Sequence, residues 1–203
     1  MAEQGNLRFG PLGDTCVHLC VDMQKLFAGD TEWHTPWVER VLPVVQRIAE
    51  ARPGQTIFTR FIPAARPGEG SGTWRRYYER WRNMTLEALE PGMADLLPSL
   101  AKLVPPAEVV DKRAYSPWLG RELEDRLRAR GVDSLVVTGA ETDVCVLATV
   151  LGAVDRGYRV VLATDALCSS SDRTHDALLT LYRERYGQQV ETATAAEILR
   201  CWH

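Results

Sequence analysis

Apolar residues along the chain fall into short runs of strand length, separated by stretches with helical spacing. TCVHLCV at 15–21, QTIFTRF at 55–61, EVVDK at 108–112, SLVVTGA at 134–140, YRVVLATDA at 158–166 and QQVETAT at 188–194 read as six strands. Residues 35–51, 119–130, 143–156 and 173–186 carry amphipathic helical patterns. The strand runs are apolar without clean alternation, as expected of strands covered on both faces. Strand–helix alternation of this kind predicts right-handed crossovers. The expected fold is a three-layer α/β/α sandwich around a six-stranded parallel, doubly wound sheet. No internal repeat or low-complexity linker breaks the pattern, so residues 1–203 are expected to form one domain.

In such sheets ligands bind beyond the carboxyl ends of the strands. Asp22 follows the first run, Arg60 lies near the end of the second, Lys112 ends the third, and Glu141 to Cys145 follow the fourth. An acid, two cations and a thiol are therefore expected along one edge. Cys145 stands behind Thr142 and Asp143, both good N-cap types, which places it in the first turn of a helix. Free N–H groups there favour a negative sulfur. A free thiol titrates near ~8.5 and needs a base or positive potential to react at neutral pH. Asp22 offers the base and Lys112 the charge. The plain alternative is that Cys145 packs its helix against the sheet, and position alone does not choose between the two.

The remaining cysteines and the histidines have simpler readings. Cys16 and Cys20 look like small core residues, Cys168 sits in a loop, and Cys201 lies near the end of the sequence. His18 reads as packed core, His34 and His175 as loop or helix-start residues, and His203 is the last residue. None of the four stands at an expected strand end.

Three segments, in order, carry a resemblance. VDMQKLF at 21–27, VVDKRAYSPW at 109–118 and TGAETDVCV at 138–146 are similar to motifs of the isochorismatase-like cysteine hydrolases, and RGYRVVLATDAL is similar to that family's fifth strand. The family includes nicotinamidases, N-carbamoylsarcosine amidohydrolase, and biuret and ureidoacrylate hydrolases. The resemblance implies a triad of Asp22 as general base, Lys112, and Cys145 as nucleophile. It also implies a cis peptide between Ala140 and Glu141. The Glu141 and Cys145 N–H groups would then form the oxyanion hole. The activity it implies is hydrolysis of a C–N bond in a small linear amide, carbamoyl or ureido compound through a thioester. An isochorismatase-type ether hydrolase, which needs no thiol, and a non-catalytic binding or assembly member of the fold are the alternatives.

Two departures refine that expectation. Nicotinamidases carry an Asp/His metal site after the second strand, whereas FTRFIPAARPGEGSGTWRRYYERW at 58–81 contains neither residue. Metal-independent chemistry without a cofactor is expected. In the same segment Trp74, Tyr77, Tyr78 and Trp81 interleave with Arg75, Arg76, Arg80 and Arg82. Such a mixture can stack on single-stranded nucleic acid. It also suits a lid or subunit contact over residues 66–83, with aromatics packed and arginines snorkelling, and that reading is favoured. Arg60, Trp74 and Trp118 are candidate substrate-binding residues, with Phe27 from the first motif. For Arg60 a loop-anchoring salt bridge is the alternative.

Bulk properties exclude some classes. Hydrophobic residues make up 45% and charged residues 25%, ordinary for a soluble globular protein. A net charge of −3 gives no general attraction to polyanions, so no nucleic-acid partner is expected. No apolar run reaches membrane-spanning length, and MAEQGNLRFG lacks a signal-peptide core. Five cysteines without paired spacing argue against a disulfide framework and for a reducing cytoplasm. A homo-oligomer, dimer or tetramer, is the expected assembly.

Overall fold

The computed structural model describes residues 7–203. The first six, which open the MAEQGNLRFG stretch, lie outside the described residues. Six strands form one parallel sheet: β1 (Cys16–Val21), β2 (Thr56–Phe61), β3 (Glu108–Lys112), β4 (Ser134–Ala140), β5 (Arg159–Cys168) and β6 (Val190–Ala193), in spatial order β3-β2-β1-β4-β5-β6. The helices are α1 (Lys25–Ala28), α2 (Val38–Ala51), α3 (Thr73–Arg80), α4 (Pro98–Ala101), α5 (Glu122–Ala129), α6 (Cys145–Asp155), α7 (Asp172–Glu184) and α8 (Ala195–Arg200). Strand order reverses between β1 and β4, which makes the ends of these two strands the switch point of a doubly wound sheet.

Each face of the sheet has its own core, which is why the strand runs are apolar without alternation. Cys16, Cys20, Phe58, Val136 and Val161 pack with Val41, Val45 and Ile48 of α2 and Ile198 of α8. Val17, Leu19, Leu135, Val137 and Leu162 pack with Leu123 and Leu127 of α5, Val146 and Val150 of α6, and Tyr182 of α7. Among the described residues no helix is long and apolar enough to cross a membrane.

Element boundaries shift for local reasons. The helix expected from residue 119 starts at Glu122, because Pro117–Leu119 forms a 3-10 turn and Gly120 is extended. β5 runs two residues beyond the expected end. The β4–β5 register slips between Val137 and Gly139, and Leu167 and Cys168 then pair with Gly139 and Ala140. α3 was not expected, although Trp74, Tyr77, Tyr78 and Trp81 follow helical i, i+3, i+4, i+7 spacing. The interleaved arginines occupy the other positions of that turn pattern and masked it.

Gly139 is where β4 comes closest to β1. Its φ is +110°, and a Cβ there would lie 2.0 Å from the carbonyl oxygen of Val21, its partner in register. Only glycine fits both the backbone conformation and the gap. Gly139→Ala should therefore destabilise the fold by ~2–4 kcal/mol, from left-handed strain and overpacking together. Urea denaturation checks this; a loss below ~0.5 kcal/mol would show that the strands can part at no cost.

His18 lies fully buried in β1, with Nε2 2.8 Å from Thr138 Oγ1 and Nδ1 3.3 Å from Thr56 Oγ1. Burial pushes its pKa down to about 3. Its unfolded-state value is higher, so below about pH 6.5 the unfolded chain binds a proton that the folded one refuses. Stability must then fall as pH falls, with a slope approaching ~1.4 kcal/mol per pH unit from this group. His18→Gln should remove that component, seen as a shallower acid limb in denaturation curves measured between pH 6 and pH 4. Equal slopes in both proteins would show that His18 takes up its proton in the folded state.

Candidate active site

The carboxyl ends of β1, β3 and β4 bring three reactive side chains together. Asp22 follows β1, Lys112 ends β3, and Cys145 opens α6 just after β4. Lys112 Nζ lies 2.7 Å from Asp22 Oδ2 and 3.3 Å from Cys145 Sγ. Its third proton goes to the Ala114 carbonyl at 3.1 Å, so every N–H of the ammonium is used. The side chains of Lys112 and Asp22 are 4% and 0% exposed, which makes this a buried ion pair.

Asp22 is held from several sides. It has φ +50°, a left-handed conformation that aspartate tolerates better than most residues. Its Oδ1 accepts from Thr59 Oγ1 at 2.6 Å, and its N–H donates to the Thr59 carbonyl at 3.2 Å. Oδ2 makes only the ion pair, so it keeps capacity for one more proton donor. Two residues on, fully buried Gln24 accepts from the Phe61 N–H at 2.7 Å and donates to the Phe61 carbonyl at 2.9 Å. That amide locks the end of β1 to the end of β2. Thr59 belongs to no recognisable motif, and although Gln24 falls within VDMQKLF, only strand pairing reveals what either residue does.

The turn before Cys145 is stitched to the end of β5. The Thr142 N–H and hydroxyl both donate to the Cys168 carbonyl, at 2.9 and 3.1 Å. Ser169 Oγ donates to Asp143, and the Ser170 N–H donates to Glu141 Oε1 at 2.8 Å. Thr142 and Asp143 are thereby engaged outside the helix. The N-cap is Val144, without a side-chain cap, which corrects the expected hydroxyl or carboxylate cap. The Ala140–Glu141 peptide is cis. The Glu141 carbonyl accepts from both the Val144 and Val146 N–H groups. Among the described residues the N–H groups of Glu141 and Cys145 have no acceptor.

Burial, and after it the Asp22 carboxylate, push the Cys145 thiol well up, against the opposing pull of Lys112. Lys112 does pull towards a negative sulfur, as expected of a nearby cation, but burial and Asp22 outweigh it, so a base must take the thiol proton. For Lys112 burial opposes the charge, but Asp22 and Cys145 outweigh it and the balance is upward. Burial holds the thiols of Cys16, Cys20 and Cys168 up at about 12.

Cys145 forms part of the floor of a cavity of about 220 Å³. Phe27 lines it, as do Trp33, Phe61, Tyr77, Trp81 and Tyr115. Tyr77 and Trp81 come from α3 and the residue after it, so the aromatic segment at 66–83 forms a wall of this chain's own pocket. The Trp33 indole N–H is buried with no partner among the described residues, a donor that a ligand oxygen could satisfy. Trp33 and Glu32 lie in the irregular stretch between α1 and α2, where no periodicity marks them.

Three expected binding residues are elsewhere. Arg60 donates to both Asp111 oxygens, at 2.8 and 2.9 Å, and to Asp95 at 3.3 Å. Strand alternation explains this: Thr59 and Phe61 face the site, and Arg60 between them faces away. Trp118 packs beside Gly152 of α6, where an added Cβ would meet its ring at 2.1 Å, and its indole donates to the Thr149 carbonyl at 2.9 Å. Trp74 stands behind the wall, its ring 5.0 Å from Tyr115 and 5.2 Å from Tyr77. The histidines stay outside: His34 Nδ1 is 3.0 Å from the Gly29 carbonyl oxygen and His175 Nδ1 is 2.8 Å from Thr142 Oγ1. Among the described residues no three His, Cys, Asp or Glu side chains converge as metal ligands would.

Comparison with known proteins places the chain in a family. The chain is 32% identical over 114 residues to the uncharacterised isochorismatase family protein YwoC of Bacillus subtilis, a match spanning 53% of this chain and 60% of that one. It is 29% identical to a ureidoacrylate amidohydrolase, RutB, of Methylorubrum extorquens across 88% of this chain and 77% of that one. A cysteine hydrolase from Pseudomonas syringae pv. phaseolicola superposes with a TM-score of 0.77 at 26% identity, covering 98% of this chain and 97% of the other. The model of the isochorismatase domain matches residues 16–195, nearly the whole described chain and all three segments of the pocket floor, so the chain belongs to the isochorismatase family.

Proposed function

We propose that this protein is a metal-independent cysteine hydrolase that cleaves a C–N bond of a small linear amide, carbamoyl or ureido compound through a thioester. One observation carries the reading: Lys112 Nζ touches both Asp22 Oδ2 and Cys145 Sγ, and Cys145 opens into a largely aromatic cavity. Its likeness to an amidohydrolase and a cysteine hydrolase supports the same chemistry.

The proton inventory shows how the cluster works. Asp22 takes the thiol proton as Cys145 Sγ attacks the carbonyl carbon. Negative charge moves from one neighbour of Lys112 to another, so the buried cluster keeps its net charge and the step needs little solvent reorganisation. The carbonyl oxygen gains the charge next and meets the unpaired N–H groups of Glu141 and Cys145. Protonated Asp22 then gives its proton to the leaving nitrogen, and the C–N bond breaks. Asp22 finally activates water against the thioester, which frees the acid and restores the thiol. Ether hydrolysis of the isochorismatase type makes no use of a thiol placed in this way.

The direct test is ammonia release from a panel of small amides, ureides and carbamoyl compounds, comparing the protein with Cys145→Ala. Turnover should vanish in the variant; equal rates would remove Cys145 from the mechanism. Asp22→Asn separates base from nucleophile. Turnover should drop by at least ~10²-fold, the scale of general acid–base catalysis. Yet Cys145 should react with iodoacetamide at lower pH than before, because the carboxylate that raises its proton affinity is gone while Lys112 remains. A labelling midpoint that moves upward instead would show that Lys112 does not sense the sulfur. Activity should also survive EDTA; loss that added zinc restores would assign a metal to the site.

A further inference from the structure

The walls of the cavity have a charge character that its floor does not dictate. Six of its lining residues are aromatic and two, Glu32 and Glu141, are acidic; no lysine, arginine or histidine lines it. Trp33 is the hub, its ring centroid 5.8 Å from that of Phe61, 5.9 Å from Tyr77 and 6.4 Å from Trp81. These three neighbours are edge-on or tilted, whereas Phe27, its centroid 6.3 Å from that of Trp33, lies nearly parallel to it, so rings of several orientations line the cavity. Glu32 is steadied by Asn83 Nδ2 at 2.7 Å, and Glu141 by the Ser170 N–H at 2.8 Å. The charge of Lys112 below is already taken up by Asp22 and Cys145.

An anionic ligand would find the Trp33 N–H as one neutral donor, but among the lining residues no cation, and it would lie against aromatic rings and two carboxylates. A cation would meet the opposite. Two rings of the wall already attract this chain's own cations: Arg80 lies 4.8 Å from the Trp81 centroid and Lys112 Nζ 5.1 Å from that of Phe61. We propose that the substrate is an amide of a short cationic acid, its ammonium or methylated ammonium group held in the aromatic box near Glu32 and Glu141. Carboxylate-bearing amides are rejected. The assignment rests on the reading of Cys145 as nucleophile, and the cavity size restricts it to small molecules.

Three amides of one length test it: β-trimethylammoniopropanamide, its isostere with a tert-butyl group in place of trimethylammonium, and succinamate. The cationic amide should exceed its isostere in kcat/KM by about tenfold or more, the scale of a desolvated cation over aromatic faces. Succinamate should be slowest. Glu32→Gln should shrink the cation-over-isostere ratio by about threefold, as for one partly exposed charge. Equal rates for cation and isostere, or succinamate fastest, would overturn the cation assignment while leaving the hydrolase reading intact. If none of the three is hydrolysed, protection decides: tetramethylammonium chloride, but not sodium chloride at equal ionic strength, should slow alkylation of Cys145 by iodoacetamide. Protection would then uphold the cation box without the hydrolase reading, and its absence would end the proposal.

Discussion

The Lys112–Asp22 ion pair is the interaction on which the rest of the site depends. Two charges are held out of water, an arrangement that costs several kcal/mol for each ion and is repaid only by good geometry and full hydrogen bonding. Here both conditions hold. The ammonium directs its three protons to Asp22, Cys145 and Ala114, and the other carboxylate oxygen takes the Thr59 hydroxyl. Stability alone would be served as well by apolar residues of similar size. What the pair supplies is a buried, already oriented field beside a sulfur whose proton affinity burial raises.

That arrangement is a product of the sheet. The strand order reverses between β1 and β4, and a helix must leave β4 just where the chain leaves β1. Gly139 lets the two backbones approach closely enough for Asp22 and the Cys145 turn to share one space. β3 adds Lys112 from two strands away, with β2 between β3 and β1. Hydrogen bonds from Thr142 and Ser170 then tie the turn to the end of β5. Each chemical group sits on a regular element or within a few residues of one, where position is best defined.

The walls follow a different logic. Apart from Phe27 of α1 and Phe61 at the end of β2, they come from the stretch after α1, from α3 and the residue after it, and from the loop after β3, which carry Trp33, Tyr77, Trp81 and Tyr115. Such segments can change without disturbing the sheet, whereas the floor cannot. On the proposed function, reaction and selectivity would be carried by largely separable parts of the chain. Membership of the family therefore says little about which small molecule fits between these rings.

The sequence by itself determined the six strands in order, the covering of both sheet faces, and the placing of Asp22, Lys112 and Cys145 at strand ends. These follow from local periodicity, because a run buried on two faces must be apolar throughout and must end where polar residues begin. Tertiary structure alone decided which side chains meet. Arg60 sits one residue from Phe61, yet the pleat turns it to Asp111 and Asp95, away from the cavity. Trp118 fills the space that Gly152 leaves, and Trp74 backs a wall it does not line. Trp33 gives no sequence signal, and the role of Gln24 within its motif stays hidden, because both act through contacts with residues remote in sequence. The N-cap failed for the same reason: Thr142 and Asp143 bond to β5 and its following residues, and long-range partners displace the local cap. Periodicity reports the solvent exposure of a segment, whereas a site is a set of distances between segments, and those exist only once the chain has folded.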